Sequence, residues 1–149
     1  MSFVLVEKPR PYVTLITLNR PERMNAMAFD VMVPFKEALE EVSFDNETRV
    51  VVVTGAGAGF CAGADLEDPG WLDIFNGLTV PGIARRAMKI LDDVIKTIHD
   101  MHQPVIGAIN GAAIGVGLTQ VLPFDGILAA ESAKLSVRFI RMGLVPELA

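Results

Sequence analysis

The stretch Ala108–Gln120, AINGAAIGVGLTQ, decides how this chain is read. It is uncharged, carries glycines at 111, 115 and 117, and lies in an apolar run from Pro104 to Leu122. A membrane helix, a phosphate-binding loop, or a turn offering backbone N–H groups to a ligand would each suit that composition. The run is long enough to span a bilayer, and Gly107, Gly111 and Gly115 repeat at the spacing of packed membrane helices. Against that, Asn110, Thr119 and Gln120 interrupt it, Pro104 and Pro123 bracket it, and Asn110–Gly111 is a turn pair. The run is therefore read as a buried strand, a turn and a small-residue helix, with no membrane partner.

Working outward, the 149 residues suffice for a single domain, 1–149, with a real core. Hydrophobic residues are 51% and charged residues 21%, the balance of a folded chain rather than a disordered one. The net charge of −5 and the lack of a basic patch argue against nucleic acid as a partner. Cys61 is the only cysteine, so no internal disulfide can form, and a reducing, cytoplasmic setting is expected. The N-terminal MSFVLVEKPRP places charge and proline after its apolar run, the reverse of a secretory leader.

Two strands are predicted first, at Phe3–Lys8 and Tyr12–Asn19, joined by a proline turn. A helix from about Phe29 to Phe44 carries Val31, Phe35, Leu39 and Val42 on one stripe, with Asp30 as its expected cap. Arg49–Gly55 reads as a buried strand, followed by the glycine-rich loop GAGAGFCAGADL. Asp68–Pro81 reads as an irregular, mobile loop. A long helix is predicted from about Ile83 to Met101, and PVIGAIN, DGILAAES and AKLSV read as further strands. Strand, glycine turn and small-residue helix thus occur twice, after Thr54 and after Asn110.

Neither glycine loop fits a nucleotide motif. Gly55 and Gly57 begin a dinucleotide fingerprint, but Phe60 stands where its third glycine belongs, and no lysine follows either loop to make a P-loop. Two readings stay open: the turns supply convergent N–H donors for an anionic oxygen, or their glycines only permit close packing. His99 and His102 have metal-ligand spacing but no third ligand nearby, so helix-end placement is preferred and no metal is expected. Cys61 lacks an activating base, and Asp65 is read as a helix cap.

LNRPERMNAM, VVVTGAGAGFCAGADL, QPVIGAINGAAIGVGLTQVLPFD and AAESAKLSVRFIRMGLVPE, in order from Leu18 to Glu147, resemble the crotonase, or enoyl-CoA hydratase/isomerase, superfamily. The resemblance implies an α/β fold, a crotonase-type spiral of ββα units. It implies acyl-CoA thioester substrates, with coenzyme A as part of the substrate and no separate cofactor, and a homo-oligomer based on trimers. The family continues past PELA with helices, so the resemblance also implies a C-terminally truncated member with an incomplete fold.

Carried over by position, the resemblance implies an oxyanion hole from the backbone N–H groups of Ala62 and Val116. It places Arg23, Met24, Ala26, Ala62, Gly63, Ala64, Asp65 and Leu66 along the acyl-CoA pocket. The two glutamates a hydratase uses would fall at positions 119 and 139, which hold Thr119 and Phe139. Neither can serve as acid or base. MGLVPE instead resembles the branch that moves double bonds with one carboxylate, here Glu147. Isomerisation of 3-enoyl-CoA to 2-enoyl-CoA is therefore expected over hydration. A non-catalytic acyl-CoA-binding remnant, or a hydratase by family only, are the alternatives.

Overall fold

The computed structural model describes residues 2–65, 67 and 80–143. Of the mobile loop expected at Asp68–Pro81, residues 68–79 lie outside the described residues, as does the chain from 144 onward, while Val80 and Pro81 open a helix instead. Five strands form the larger sheet, in the order β1-β2-β3-β5-β7. β1 (Val4–Arg10) runs antiparallel to β2 (Val13–Leu18), and β3 (Val50–Gly55), β5 (Val105–Ile109) and β7 (Gly126–Ala129) follow parallel to it. Alternation fixes the faces: Thr14, Ile16 and Leu18 of β2 are buried, as are Val51 and Val53 of β3. The fully apolar strand predicted at Arg49–Gly55 thus has one deeply buried face and one half-buried face.

A second sheet takes in the strand expected at AKLSV and two three-residue strands that no sequence pattern announces. β4 (Gly59–Cys61), β6 (Ala112–Ile114) and β8 (Leu135–Ser136) pair in parallel in that order. Each follows a strand of the larger sheet, so the chain steps from large sheet to small sheet three times: β3 to β4, β5 to β6, β7 to β8. Both glycine turns lie on these steps.

Helix α1 (Phe29–Ser43) lays Phe29, Met32, Phe35, Leu39 and Val42 into the core. Each such side chain contributes roughly 1.5–3 kcal/mol by leaving water. Asp30 is not the cap: Ala28 holds that place without a side-chain bond, and Asp30 falls in the first turn, where the helix dipole favours a carboxylate. Pro34 is tolerated inside the helix at the cost of one backbone bond. Helix α2 (Val80–Asp100) begins three residues earlier than expected and buries Leu91, Val94 and Ile98, with His99 in its last turn. A four-residue helix, α3 (Val116–Thr119), follows β6. No helix among the described residues is long and apolar enough to cross a membrane.

The two edges of the larger sheet differ. β1 ends in Glu7, Lys8, Pro9 and Arg10, charge and proline that discourage further strand pairing. β7 is apolar, and its Leu128 is 69% exposed.

Candidate active site

The two glycine turns, 54 residues apart in sequence, are packed backbone to backbone. A Cβ on Gly117 would overlap the carbonyl oxygen of Cys61, and one on Gly111 would overlap that of Ala58. Gly63, at φ +102, would place a Cβ 2.9 Å from the Ile114 oxygen. Close packing is therefore a real function of these glycines, and it brings the two turns side by side.

The free amides follow from local pairing. The Ala62 N–H donates to the Met24 carbonyl at 3.0 Å, so that donor is already engaged. Met27 then forms a parallel bridge with Ala64: its N–H donates to the Gly63 oxygen at 2.7 Å, and its oxygen accepts the Asp65 N–H at 2.9 Å. Bonding alternates along the segment, so the Ala64 N–H faces away from Met27 and meets no acceptor among the described residues. On the second turn Gly115 has φ +54, and the Val116 N–H opens α3 with no acceptor among the described residues. Of the two donors expected from the sequence, Val116 meets no acceptor among the described residues and Ala62 is engaged.

The first turn is held by polar side chains. The Asp65 carboxylate, 3% exposed, takes Arg20 Nη1 at 2.8 Å and Arg23 Nη2 at 2.8 Å. Arg23 also reaches Glu67 at 3.2 Å, and the Glu67 N–H returns to Asp65 Oδ1 at 3.1 Å. The Arg23 hydrogen bond, ahead of the other contacts, holds the Asp65 carboxyl below the ordinary aspartate value of 3.8 although burial opposes it. Asp65 thus acts as an anchor for the arginine turn, and the helix it was expected to cap falls outside the described residues. Met24 and Asn25 sit at φ +52 and +54, a left-handed region that costs a non-glycine residue roughly 1–2 kcal/mol. Asn25 is wholly buried and repays that strain: Oδ1 accepts the Arg20 N–H at 2.8 Å, and Nδ2 donates to Ala56 and Gly59 oxygens at 2.9 Å.

The second turn is lined by apolar groups and one hydroxyl. Thr119, 1% exposed, points Oγ1 back to the Gly115 carbonyl at 3.4 Å. The ring of Phe139, 4% exposed, reaches within 3.9 Å of where a Gly115 Cβ would stand. Positions 119 and 139 therefore both meet at Gly115, beside the free Val116 amide, and neither brings a carboxylate. Cys61 lies beneath both turns. Burial pushes its thiol up to about 12, more than nearby Gly63, Gln120 and Met27 groups offset, so it is no nucleophile near neutral pH.

Among the expected pocket residues, Ala26, Gly63 and Asp65 are buried, while Arg23, Met24, Ala62 and Ala64 present exposed surface. The bonds of Met24 to Ala62, Arg23 to Asp65 and Met27 to Gly63 hold the two segments together, and Gly63 packs on the Ile114 carbonyl two residues before Val116. Leu66 and Glu147 lie outside the described residues. No group of acidic, histidine or cysteine side chains suited to a metal occurs among the described residues. Surface clefts of about 430 Å³ beside Tyr12 and about 450 Å³ beside Phe3 lie away from the turns. The sequence reading passed over Arg20, Asn25 and the grip of Asn110.

The family model for enoyl-CoA hydratase/isomerase matches residues 10–149. The probable enoyl-CoA hydratase EchA12 of Mycobacterium tuberculosis is 56% identical over 144 residues, 97% of this chain and 50% of that protein. A crystal structure of a probable enoyl-CoA hydratase/isomerase from Mycobacterium abscessus superposes with a TM-score of 0.85 at 55% identity, covering 99% of this chain and 54% of that one. A monofunctional enoyl CoA isomerase from M. smegmatis gives 0.72 at 46% identity, covering 91% of this chain and 53% of that one. The chain spans about half the length of the curated relatives it matches. With the paired glycine turns, the step between two sheets and a family match over nearly its whole length, this chain belongs to the enoyl-CoA hydratase/isomerase family.

Proposed function

We propose that this chain binds the thioester carbonyl of an acyl-CoA between the Ala64 and Val116 amides, and that its chemistry is double-bond migration rather than water addition. The observation that carries the reading is the pair of unengaged N–H groups on two interlocked turns. The first donor is Ala64 in place of Ala62, because the Met24 carbonyl already occupies the Ala62 amide.

The reaction follows from thioester chemistry. In a 3-enoyl thioester, a base removes a proton from C2. The electron pair moves into the carbonyl, and the resulting dienolate is reprotonated at C4, leaving the double bond between C2 and C3. Each amide that meets the dienolate oxygen contributes about 3 kcal/mol. One base suffices to carry the proton, and Glu147 is the carboxylate that the family resemblance puts forward. Hydration needs a second acid–base group, and the two positions beside Gly115 hold a hydroxyl and a phenyl ring. The similarity to the monofunctional enoyl CoA isomerase from M. smegmatis supports the same branch.

Ultraviolet absorbance of the conjugated product tests the reaction. With a 3-enoyl-CoA, absorbance should rise without a gain of mass, and Glu147→Gln should abolish the rise. Water addition that survives Glu147→Gln would overturn the assignment. A second reading, acyl-CoA binding without turnover, is favoured by the side chains beside the Val116 amide, since neither Thr119 nor Phe139 brings an acid or base. Calorimetry with a thioester analogue separates the two: binding lost in a folded Val116→Pro variant, with no turnover by the parent chain, supports the second.

A further inference from the structure

We infer that Asn25 and Asn110 are positioning residues that clamp one carbonyl, that of Gly59, and so set the spacing of the Ala64 and Val116 amides. The inference rests on the proposed role of those amides. Asn25 comes from the left-handed turn before α1, and its Nδ2 donates to the Gly59 oxygen at 2.9 Å and the Ala56 oxygen at 2.9 Å. Asn110 comes from the second glycine turn, between β5 and β6. Its Nδ2 donates to the Gly57 oxygen at 3.0 Å and more loosely to the same Gly59 oxygen at 3.5 Å.

The segment Ala56–Gly59 is thus gripped from both sides through its carbonyls. It leads directly through β4 into Ala62–Ala64, and Asn110 leads through β6 into Gly115–Val116. The next residue, Gly111, already touches the Ala58 carbonyl so closely that a Cβ would overlap it, which leaves the Asn110 grip no slack. A hydrophobic residue at 25 could fill the space, but it would leave the Arg20 N–H and two inward-facing carbonyls without their bonds. Asn110 is exposed, so burial gives no other reason for its two bonds.

Asn110→Ala is the chief test, because an exposed residue can be removed with the fold intact. Asn25→Gly is the second, since glycine adopts φ +54 without strain and only the side-chain grip is lost. The probe is cinnamoyl-CoA, whose absorption moves to longer wavelength when hydrogen bonds polarise its carbonyl. The clamp predicts that each folded variant binds the probe roughly tenfold more weakly, about 1.4 kcal/mol, and with a smaller red shift at saturation. In the ligand-free chain, Asn110→Ala should also move the amide resonances of both Ala64 and Val116, leaving β1 and β2 unmoved. A folded Asn110→Ala protein with unchanged amide resonances at those two positions overturns the clamp. If they move but the parent chain neither binds the probe nor shifts its band, the clamp stands and the acyl-CoA reading falls.

Discussion

The two glycine turns do the same geometric job by different means. The first, Ala56–Asp65, is tied down by side chains: Asn25 on two carbonyls, and Arg20 and Arg23 on Asp65. The second, Asn110–Thr119, is tied down by the lack of side chains, with Gly111 and Gly117 against the backbone of the first. Apart from the Asn110 side chain, which donates to Gly57 and Gly59, the first turn therefore depends chiefly on charge and hydrogen bonding and the second chiefly on space. Substitutions should separate these dependencies cleanly.

The largest effect is expected at Gly117. Its missing Cβ would overlap the main-chain oxygen and the Cβ of Cys61, which no rotamer change can relieve. Gly117→Ala should cost roughly 3 kcal/mol, the upper range for overpacking, because backbone rather than a flexible side chain must give way. Urea unfolding would show this as a lower midpoint with an unchanged slope. Stability within experimental error of the parent would mean that the turns are not in contact.

Asp65→Asn comes next, and it alone carries a pH signature. Its folded pKa is lowered, chiefly by the Arg23 hydrogen bond, so its contribution is complete above the unfolded value of 3.8 and fades as pH falls through the folded value. At pH 7 the variant should lose about 2 kcal/mol, below the ~3–5 kcal/mol of a fully buried broken pair because Arg23 is 39% exposed. The gap between parent and variant should close only below the ordinary carboxylate range. Salt should narrow the gap only slightly, since Asp65 itself is 3% exposed. No such pH dependence is expected at Gly117. A gap that closed between pH 6 and 8 would point to a different ionisable group.

Those two positions also show what could be read from sequence. The large-sheet strands announced themselves through β-branched runs such as Val50–Gly55 and through the alternation of β2. Of the small sheet only β8 was legible, inside AKLSV, because β4 and β6 are three residues long, too short for any period to register. The convergence of the glycine turns was legible from their repeated context. The choice between Ala62 and Ala64 was not, because it depends on which alternate amide faces Met24 and Met27, residues some 38 positions away in the chain. Asn25 was opaque for a similar reason: its three partners come from Arg20, Ala56 and Gly59, and only the folded turn assembles them.

Gly115 sharpens the contrast within the second turn. It has φ +54, but a Cβ there meets only the Phe139 ring, at an ordinary 3.9 Å. Gly115→Ala should therefore pay for backbone strain at φ +54, ψ −125 and not for overlap, roughly 1–3 kcal/mol and no more than the cost at Gly117. Because the same strain would turn the Val116 amide, thioester affinity should fall more than stability does. Calorimetry beside thermal unfolding would measure both, and a variant that loses stability but keeps full affinity would remove Val116 from the binding site.

The smallest effect is expected at Thr119, although it is among the most buried residues beside the free amide. Its hydroxyl makes only a long bond, 3.4 Å, to the Gly115 carbonyl. That carbonyl already accepts the N–H groups of Leu118 at 2.9 Å and Thr119 at 3.0 Å, so removing the hydroxyl leaves no buried acceptor unmet. Valine keeps the branched shape and the same χ1 preference, and it exchanges a weakly bonded hydroxyl for a methyl group in an apolar setting. Thr119→Val should change stability by no more than about 0.5 kcal/mol. If proton transfer runs through Glu147, any isomerase activity of the parent should survive the substitution, as read by the absorbance of the conjugated product. Activity lost from a Thr119→Val protein of unchanged stability would instead place that hydroxyl in the path of the proton, and the second turn would then be a chemical participant as well as a spacer.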